Sequence, residues 1–80
     1  MPGKKRLSIR WTNHGRARAR ERRISLADVR AVVSNPTVRR DQDGGRIRVE
    51  KAVGARWIVV VVRPIAPDQV LVVTTFAGGE

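Results

Sequence analysis

Three side chains in the first third of the chain have the types and spacing that phosphate chemistry needs. His14, Arg18 and Arg22 lie four residues apart in succession, and His14 is the one histidine of the 80 residues. On an α-helix this spacing stacks all three along one face, because residues i and i+4 are surface neighbours. Imidazole titrates near neutral pH, whereas guanidinium groups stay charged. Such a face could cleave a phosphodiester, with the imidazole moving a proton, or merely hold one.

The same segment is crowded with further arginines, and only Glu21 relieves their mutual repulsion. Like charges at i,i+4 destabilise an isolated helix, so an anionic ligand is expected to compensate. A second basic group follows a hairpin later in the chain, and together the two groups could line a groove along a sugar–phosphate backbone. The predicted RNA-binding residues are Arg16, Arg20, Arg23, Arg46, Arg48 and Lys51.

Composition indicates a polyanionic partner. There are 17 Lys and Arg residues against 7 Asp and Glu, a net charge of +10, and 14 of the basic residues are arginine. Such an excess favours nucleic acid, an acidic protein or an anionic membrane surface. The longest apolar run, Trp57–Val62, is far shorter than the roughly 20 residues of a membrane-spanning helix. Without cysteine and with one histidine, neither disulfides nor a metal or other cofactor is expected, and the cytoplasm is the expected location.

Two helices are predicted after a short strand. Residues 1–6 are basic and expected to be flexible, and residues 7–11 alternate like a half-buried strand. Thr12 or Asn13 then caps a first helix that extends to about residue 23. Ser25 and Asp28 form a capping sequence for a second helix, which Pro36 ends. The expected core stripe of this helix consists of Leu26, Val29, Val32 and Val33.

Strands fill the rest of the chain. A turn at 41–45 closes a hairpin, residues 46–50 alternate, and the β-branched run 57–62 is typical of a central strand. Pro64 and Pro67 are expected to end that strand, and residues 70–76 form the last one. The prediction is a single α+β domain over 7–77 with a frayed end at 78–80. It consists of a short N-terminal strand, two helices on one face, and a curled four-stranded antiparallel β-meander.

Base stacking is expected to be limited. The aromatic side chains are few, and Trp57 is assigned to the core because of the apolar run it begins. No aromatic platform for RNA is visible. Two short helices cover one sheet face, so valines of 57–62 are left on the other, where a protein partner or strong sheet curvature could hide them.

The spacing His14-x-x-x-Arg18-x-x-x-Arg22-x-Ile24-Ser25, the helix ending at 35–36, the glycine hairpin and the closing Val-Val-Thr-Thr-Phe strand resemble a small bacterial family of unknown function, number 4258. That family is similar in layout to RelE-, BrnT- and barnase-like toxin nucleases. The resemblance covers residues 8–76. Gly15 stands where the family usually has alanine, and the positions between are richer in arginine here.

This resemblance implies a RelE/barnase-like α+β fold and a metal-independent ribonuclease of mRNA-interferase type, belonging to a toxin–antitoxin pair or a secreted polymorphic toxin. It implies that His14, Arg18 and Arg22 lie on the family's polar helix motif. The implied partners are RNA and an acidic antitoxin protein. Independently of the resemblance, a domain this small without disulfides can gain stability from a second copy of the chain, and its short apolar runs predict no membrane insertion.

The implied chemistry is attack by the RNA 2′-hydroxyl on the adjacent phosphorus, with His14 as base or acid and the two arginines stabilising the phosphorane. A second proton-transfer group is not identified by the sequence. The alternatives are a non-catalytic nucleic-acid-binding module or inactive toxin homologue, for which only the arginines matter, and a basic protein whose target is an acidic protein.

Overall fold

The computed structural model describes residues 7–78 as an α+β arrangement of two helices and five strands. In chain order these are β1 (Ser8–Trp11), α1 (Asn13–Glu21), α2 (Leu26–Ser34), β2 (Val38–Asp41), β3 (Ile47–Val53), β4 (Arg56–Ala66) and β5 (Gln69–Gly78). The N-terminal segment 1–6, predicted to be flexible, lies outside the described residues, as do residues 79 and 80. Gly78, predicted to fray, is the last residue of β5.

The strands form one mixed sheet in the order β1-β5-β4-β3-β2. Neighbours from β2 to β5 are antiparallel, whereas β1 pairs in parallel with β5, so that Ile9 lies opposite Val70 and Trp11 opposite Val72. The sheet is therefore five-stranded and mixed, rather than the predicted four-stranded antiparallel one. Alternation in residues 7–11 indicates a strand, but the partner of that strand is set by residues about 60 positions later.

Both helices cover the same face of the sheet, α1 over β5 and β1, and α2 over β3 and β4. The core lies between these layers and consists of Ala19, Ile24, Val29, Val32, Val49, Ile58, Val60, Val62, Val70 and Val72. The predicted stripe of α2 is correct for its two fully buried valines and wrong for Leu26, which is 51% exposed. Leu26 is the first residue of the helix, and it points to solvent beside the Ser25 cap.

Strand β4 continues through Pro64 to Ala66, although the prolines were expected to end it earlier. Its pairing with β3 stops at Val62, which lies opposite Ile47. Beyond that point β4 has a neighbour only on the β5 side, where the register shifts between Pro64 and Ala66. A proline is tolerated on an edge because its missing N–H interrupts no ladder there. Within residues 7–78, neither helix is long and apolar enough to cross a membrane.

Candidate nucleic-acid interface

Helix α1 contacts the sheet mainly through small residues. Thr12 caps it, accepting a hydrogen bond from the Gly15 amide at 2.8 Å, while its hydroxyl lies 3.1 and 3.2 Å from the carbonyl oxygens of Val72 and Val73. Only Gly15 and Ala19 are buried. The helix ends at Glu21, two residues before the predicted end. Because so little of α1 is buried, its other side chains project from the surface.

The three residues predicted to carry chemistry share one face of α1. His14 and Arg18 are helical, and the Arg22 amide still donates to the Arg18 carbonyl at 3.1 Å, which keeps Arg22 in register. His14 and Arg22 are exposed, and the Arg18 guanidinium is bonded to Glu21 at 2.9 Å. No side chain among residues 7–78 hydrogen-bonds to His14. The structure thus places the three on one surface and leaves the imidazole without an orienting partner.

The remaining arginines at this end of the molecule are Arg16, Arg20 and Arg23, and all three are exposed. None of their guanidinium groups has a carboxylate or carbonyl partner within the described part of the chain. Arg23 has φ = 54°, the left-handed conformation that turns the chain from α1 into α2. The helix–helix corner therefore carries concentrated, uncompensated positive charge.

Arg56, at the start of β4, was not among the predicted residues, yet it organises this corner. Its Nη1 donates to the Arg22 carbonyl at 2.6 Å and its Nη2 to the Arg23 carbonyl at 2.9 Å. It also lies 3.5 Å from Asp28. A cleft of about 280 Å³ is lined by Glu21, Arg22, Arg23, Arg56 and Ala77. No sequence signal connects Arg56 with residues 33 and 34 positions earlier.

The second predicted basic group does not form one groove. Arg46 is exposed in the β2–β3 connection, and Arg48 lies on the sheet face that carries no helix. Lys51 lies opposite Ile58 on the helix-covered face, where its Nζ donates to the Asn35 carbonyl at 2.9 Å, at the end of α2. Residues 48 and 51 point to opposite faces because side chains alternate along a strand. That these three bind RNA stays a prediction.

The helix-free face of the sheet contains a connected polar group. We define this face by Arg48, Glu50, Trp57, Val59, Val61, Thr74 and Phe76, which lie on adjacent strands β3, β4 and β5. Glu50 accepts from the Trp57 indole N–H at 2.8 Å through one oxygen and from Arg48 Nε at 2.8 Å through the other. The indole hydrogen bond and then the Arg48 guanidinium hold the pKa of Glu50 below its ordinary value, against burial, which raises it.

Arg48 also closes over the valines that were expected to be left uncovered. Its guanidinium carbon lies 5.8 Å from the centroid of the Phe76 ring, so the side chain extends from β3 across β4 towards β5. Val59 and Val61 on β4 are consequently only 6% and 5% exposed. Trp57 lies on this same face, half-buried, and not in the core as predicted. The continuous apolar run hid the alternation that turns its odd-numbered residues away from the helices.

Glu50 makes stability depend on pH. We expect the free energy of unfolding of the wild type to exceed that of Glu50→Gln near neutral pH, because the carboxylate binds two donors. A lowered pKa in the folded state means that this advantage is present above the unfolded value near 4.5 and disappears as the pH falls through the folded value. Urea unfolding at several pH values measures the difference. A difference that stays constant below pH 4.5 would show that the carboxylate's charge contributes nothing.

No three His, Cys, Asp or Glu side chains in residues 7–78 are grouped so that they could hold a metal ion. No curated protein and no solved structure matches the chain significantly. The profile of one family, described as a domain of unknown function, matches residues 11–77, which span both helices and nearly all of the sheet. The chain belongs to that family, DUF4258.

Proposed function

We propose that this domain binds RNA along α1 and cleaves it as a toxin-like, metal-independent ribonuclease with a RelE/barnase-like layout. One observation carries the proposal. Four exposed arginines, Arg16, Arg20, Arg22 and Arg23, project from α1 and its C-terminal corner without a carboxylate partner in the described residues, and His14 is exposed on the same helix. Fixed cations on the same helix as an imidazole, which can accept or donate a proton, suit a phosphodiester substrate.

The reaction requires one proton removed and one delivered. A base takes the proton of the 2′-hydroxyl, the oxygen attacks the adjacent phosphorus, and the 5′-oxygen leaves after it is protonated. His14 is exposed and can perform either transfer. Arg18 and Arg22 stabilise the additional charge of the phosphorane. To bind the phosphate, Arg18 must first break its ion pair with Glu21. The free-energy cost is small, because exposed ion pairs contribute at most about 1 kcal/mol.

Two consequences follow for substrate and partner. DNA lacks the 2′-hydroxyl and is bound without being cleaved. An acidic antitoxin protein would neutralise the same arginines and block RNA, because charge complementarity of this kind steers association.

The test is expression of the wild type and of His14→Ala in a bacterial host, with total RNA analysed from both. We expect growth arrest and fragmented RNA with the wild type only. With purified protein and excess EDTA, cleavage should fall about 10²- to 10⁴-fold in His14→Ala, the range that general acid–base catalysis supplies. RNA binding should persist. Asn13→Ala, an exposed neighbour at the start of α1, is the matched control. Undiminished cleavage by His14→Ala would exclude the assigned chemistry.

A non-catalytic RNA-binding module, or an inactive toxin homologue, is the second candidate. The observation that favours it is the imidazole itself, which no described side chain orients, whereas acid–base histidines are commonly fixed by a hydrogen bond on the second ring nitrogen. Salt dependence does not separate the two functions, since both neutralise phosphates. Intact RNA and normal growth with soluble wild-type protein, together with RNA binding by the purified domain, would establish the binding module.

A further inference from the structure

We propose that the helix-free face of the sheet is a second nucleic-acid-binding surface, on which bases of single-stranded RNA stack against Trp57 and Phe76. This face is opposite the one that α1 and α2 cover. The proposal depends neither on cleavage nor on His14. It shares with the proposed function only the identity of the ligand.

The surroundings of Trp57 leave room for a base. Its neighbours across the strands are Ala52 on β3 and Gly78 on β5. Both are small and exposed, so no bulky side chain flanks the indole in the cross-strand direction. Phe76, two residues before Gly78 on β5, is 39% exposed. Two aromatic rings are therefore accessible on neighbouring strands. Phe76 is offset by two residues along β5 from the residue that pairs with Trp57.

The face is also organised before a ligand arrives. Glu50 fixes the indole through one oxygen and the Arg48 guanidinium through the other, both at 2.8 Å. Arg48 in turn lies 5.8 Å from the Phe76 ring centre. One carboxylate thus holds an indole and a guanidinium, and that guanidinium lies near a phenyl ring. Nucleobases stack on aromatic rings and on guanidinium planes alike.

Charge on this face fits a phosphate backbone. Arg40 lies directly opposite Arg48, while Arg10 and Arg63 flank Leu71 from the two sides of β5. Like charges that face each other across strands are destabilising unless an anion compensates them. Glu50 is the one carboxylate that the described strands direct to this face, and its oxygens are already occupied. Arg48 is thus paired with Glu50, whereas Arg10, Arg40 and Arg63 form no ion pair within the described residues and remain available to an external polyanion.

The same observations disfavour a protein partner. Val59 and Val61 would supply the apolar centre of such an interface, but they are already buried beneath their neighbours. The centre of a protein interface is typically depleted of Glu, Asp and Lys, although Arg and aromatic residues are enriched there. Here the carboxylate of Glu50 lies at the centre. Stacking rings rimmed by arginine match single-stranded nucleic acid better.

The experiment measures binding of a fluorescent, 2′-O-methylated oligo-uridine, which cannot be cleaved through the 2′-oxygen. Phe76→Ala and Trp57→Ala should each weaken binding about tenfold, since aromatic–base stacking is lost. The salt dependence should keep its slope, because no phosphate contact is removed. Leu26→Ala, which truncates another exposed apolar side chain, is the control and should bind like the wild type. A duplex of the same length should be insensitive to both aromatic substitutions.

Trp57→Phe keeps an aromatic ring but loses the donor to Glu50, so its affinity should fall between those of the wild type and Trp57→Ala. Phe76 is exposed, so Phe76→Ala should remain folded, which circular dichroism checks. Wild-type affinity in Phe76→Ala overturns the proposal. So does a wild-type dimer that Phe76→Ala converts to a monomer, because the face would then be a protein interface. Neither result depends on RNA cleavage, which His14→Ala tests separately.

Discussion

Gly15→Ala is expected to destabilise the domain by about 2 kcal/mol, although alanine is the better helix former. A Cβ at position 15 would lie 2.5 Å from the Val72 carbonyl oxygen and 3.1 Å from Thr12 Oγ1. The first contact is with backbone, so α1 must move away from β5. Overpacking of this kind costs roughly 1–3 kcal/mol, and a backbone obstacle lies at the upper end of that range. Alanine returns at most about 1 kcal/mol through helix propensity.

Whether Gly15→Ala lowers or raises the stability shows which contribution is larger, the steric contact with Val72 or the helix propensity of alanine. If only propensity mattered, Gly15→Ala would raise the melting temperature. The close approach of helix and strand predicts a decrease of about 10 °C for a domain of this size. Ala17→Gly, at an exposed position of the same helix, is the matched control. It measures propensity alone and should cost about 1 kcal/mol. A stabilised Gly15→Ala variant would show that α1 is not held against Val72.

This contact also bears on function. The Thr12 cap and the backbone contact at Gly15 fix the start of α1 on β5. His14 lies between these two residues, so the same contact positions its backbone on the sheet. On the proposed function, cleavage by Gly15→Ala should therefore fall as well, even below its melting temperature.

Features set by a few neighbouring residues could be predicted from the sequence. The capping box of α2 forms as expected, with the Ser25 and Asp28 side chains and amides paired at 3.0 and 3.1 Å. The turns with Gly44 and Gly54 use positive φ angles, which glycine adopts without strain. The shared face of His14, Arg18 and Arg22 also follows from helical periodicity alone. Each of these depends on residues within about two helical turns or one hairpin of each other.

Features that join distant segments could not be predicted in this way. Three such features depend on the register of the assembled sheet. They are the parallel pairing of β1 with β5, the hydrogen bonds from Arg56 to the helix corner and the Glu50–Trp57 hydrogen bond. Trp57 is the clearest case. A run that is apolar on both faces carries no period-two signal, so the sequence does not say which residues turn away from the helices.

Replacing Arg16, Arg20 and Arg23 together by glutamine is expected to weaken RNA binding strongly while making the domain slightly more stable. All three are exposed and lack carboxylate partners in the described residues. Arg16 and Arg20 repel each other at i,i+4, which costs roughly 0.2–0.5 kcal/mol in a helix. Glutamine has nearly the same helix propensity as arginine, so propensity does not change. A variant that becomes more stable while it loses affinity for RNA would show that these arginines serve ligand binding rather than folding.

Salt dependence measures how many of these arginines contact phosphates. For single strands the logarithm of the binding constant falls with the logarithm of salt concentration by about 0.7 per neutralised phosphate, so three lost contacts should reduce the slope by about 2. Arg39→Gln is the matched control, because Arg39 is exposed on β2, at the sheet edge farthest from the strands that α1 covers. An unchanged slope in the triple variant would place the phosphates elsewhere. If the slope falls in the triple variant, and Phe76→Ala weakens binding without changing the slope, the helix binds the backbone and the helix-free face binds the bases.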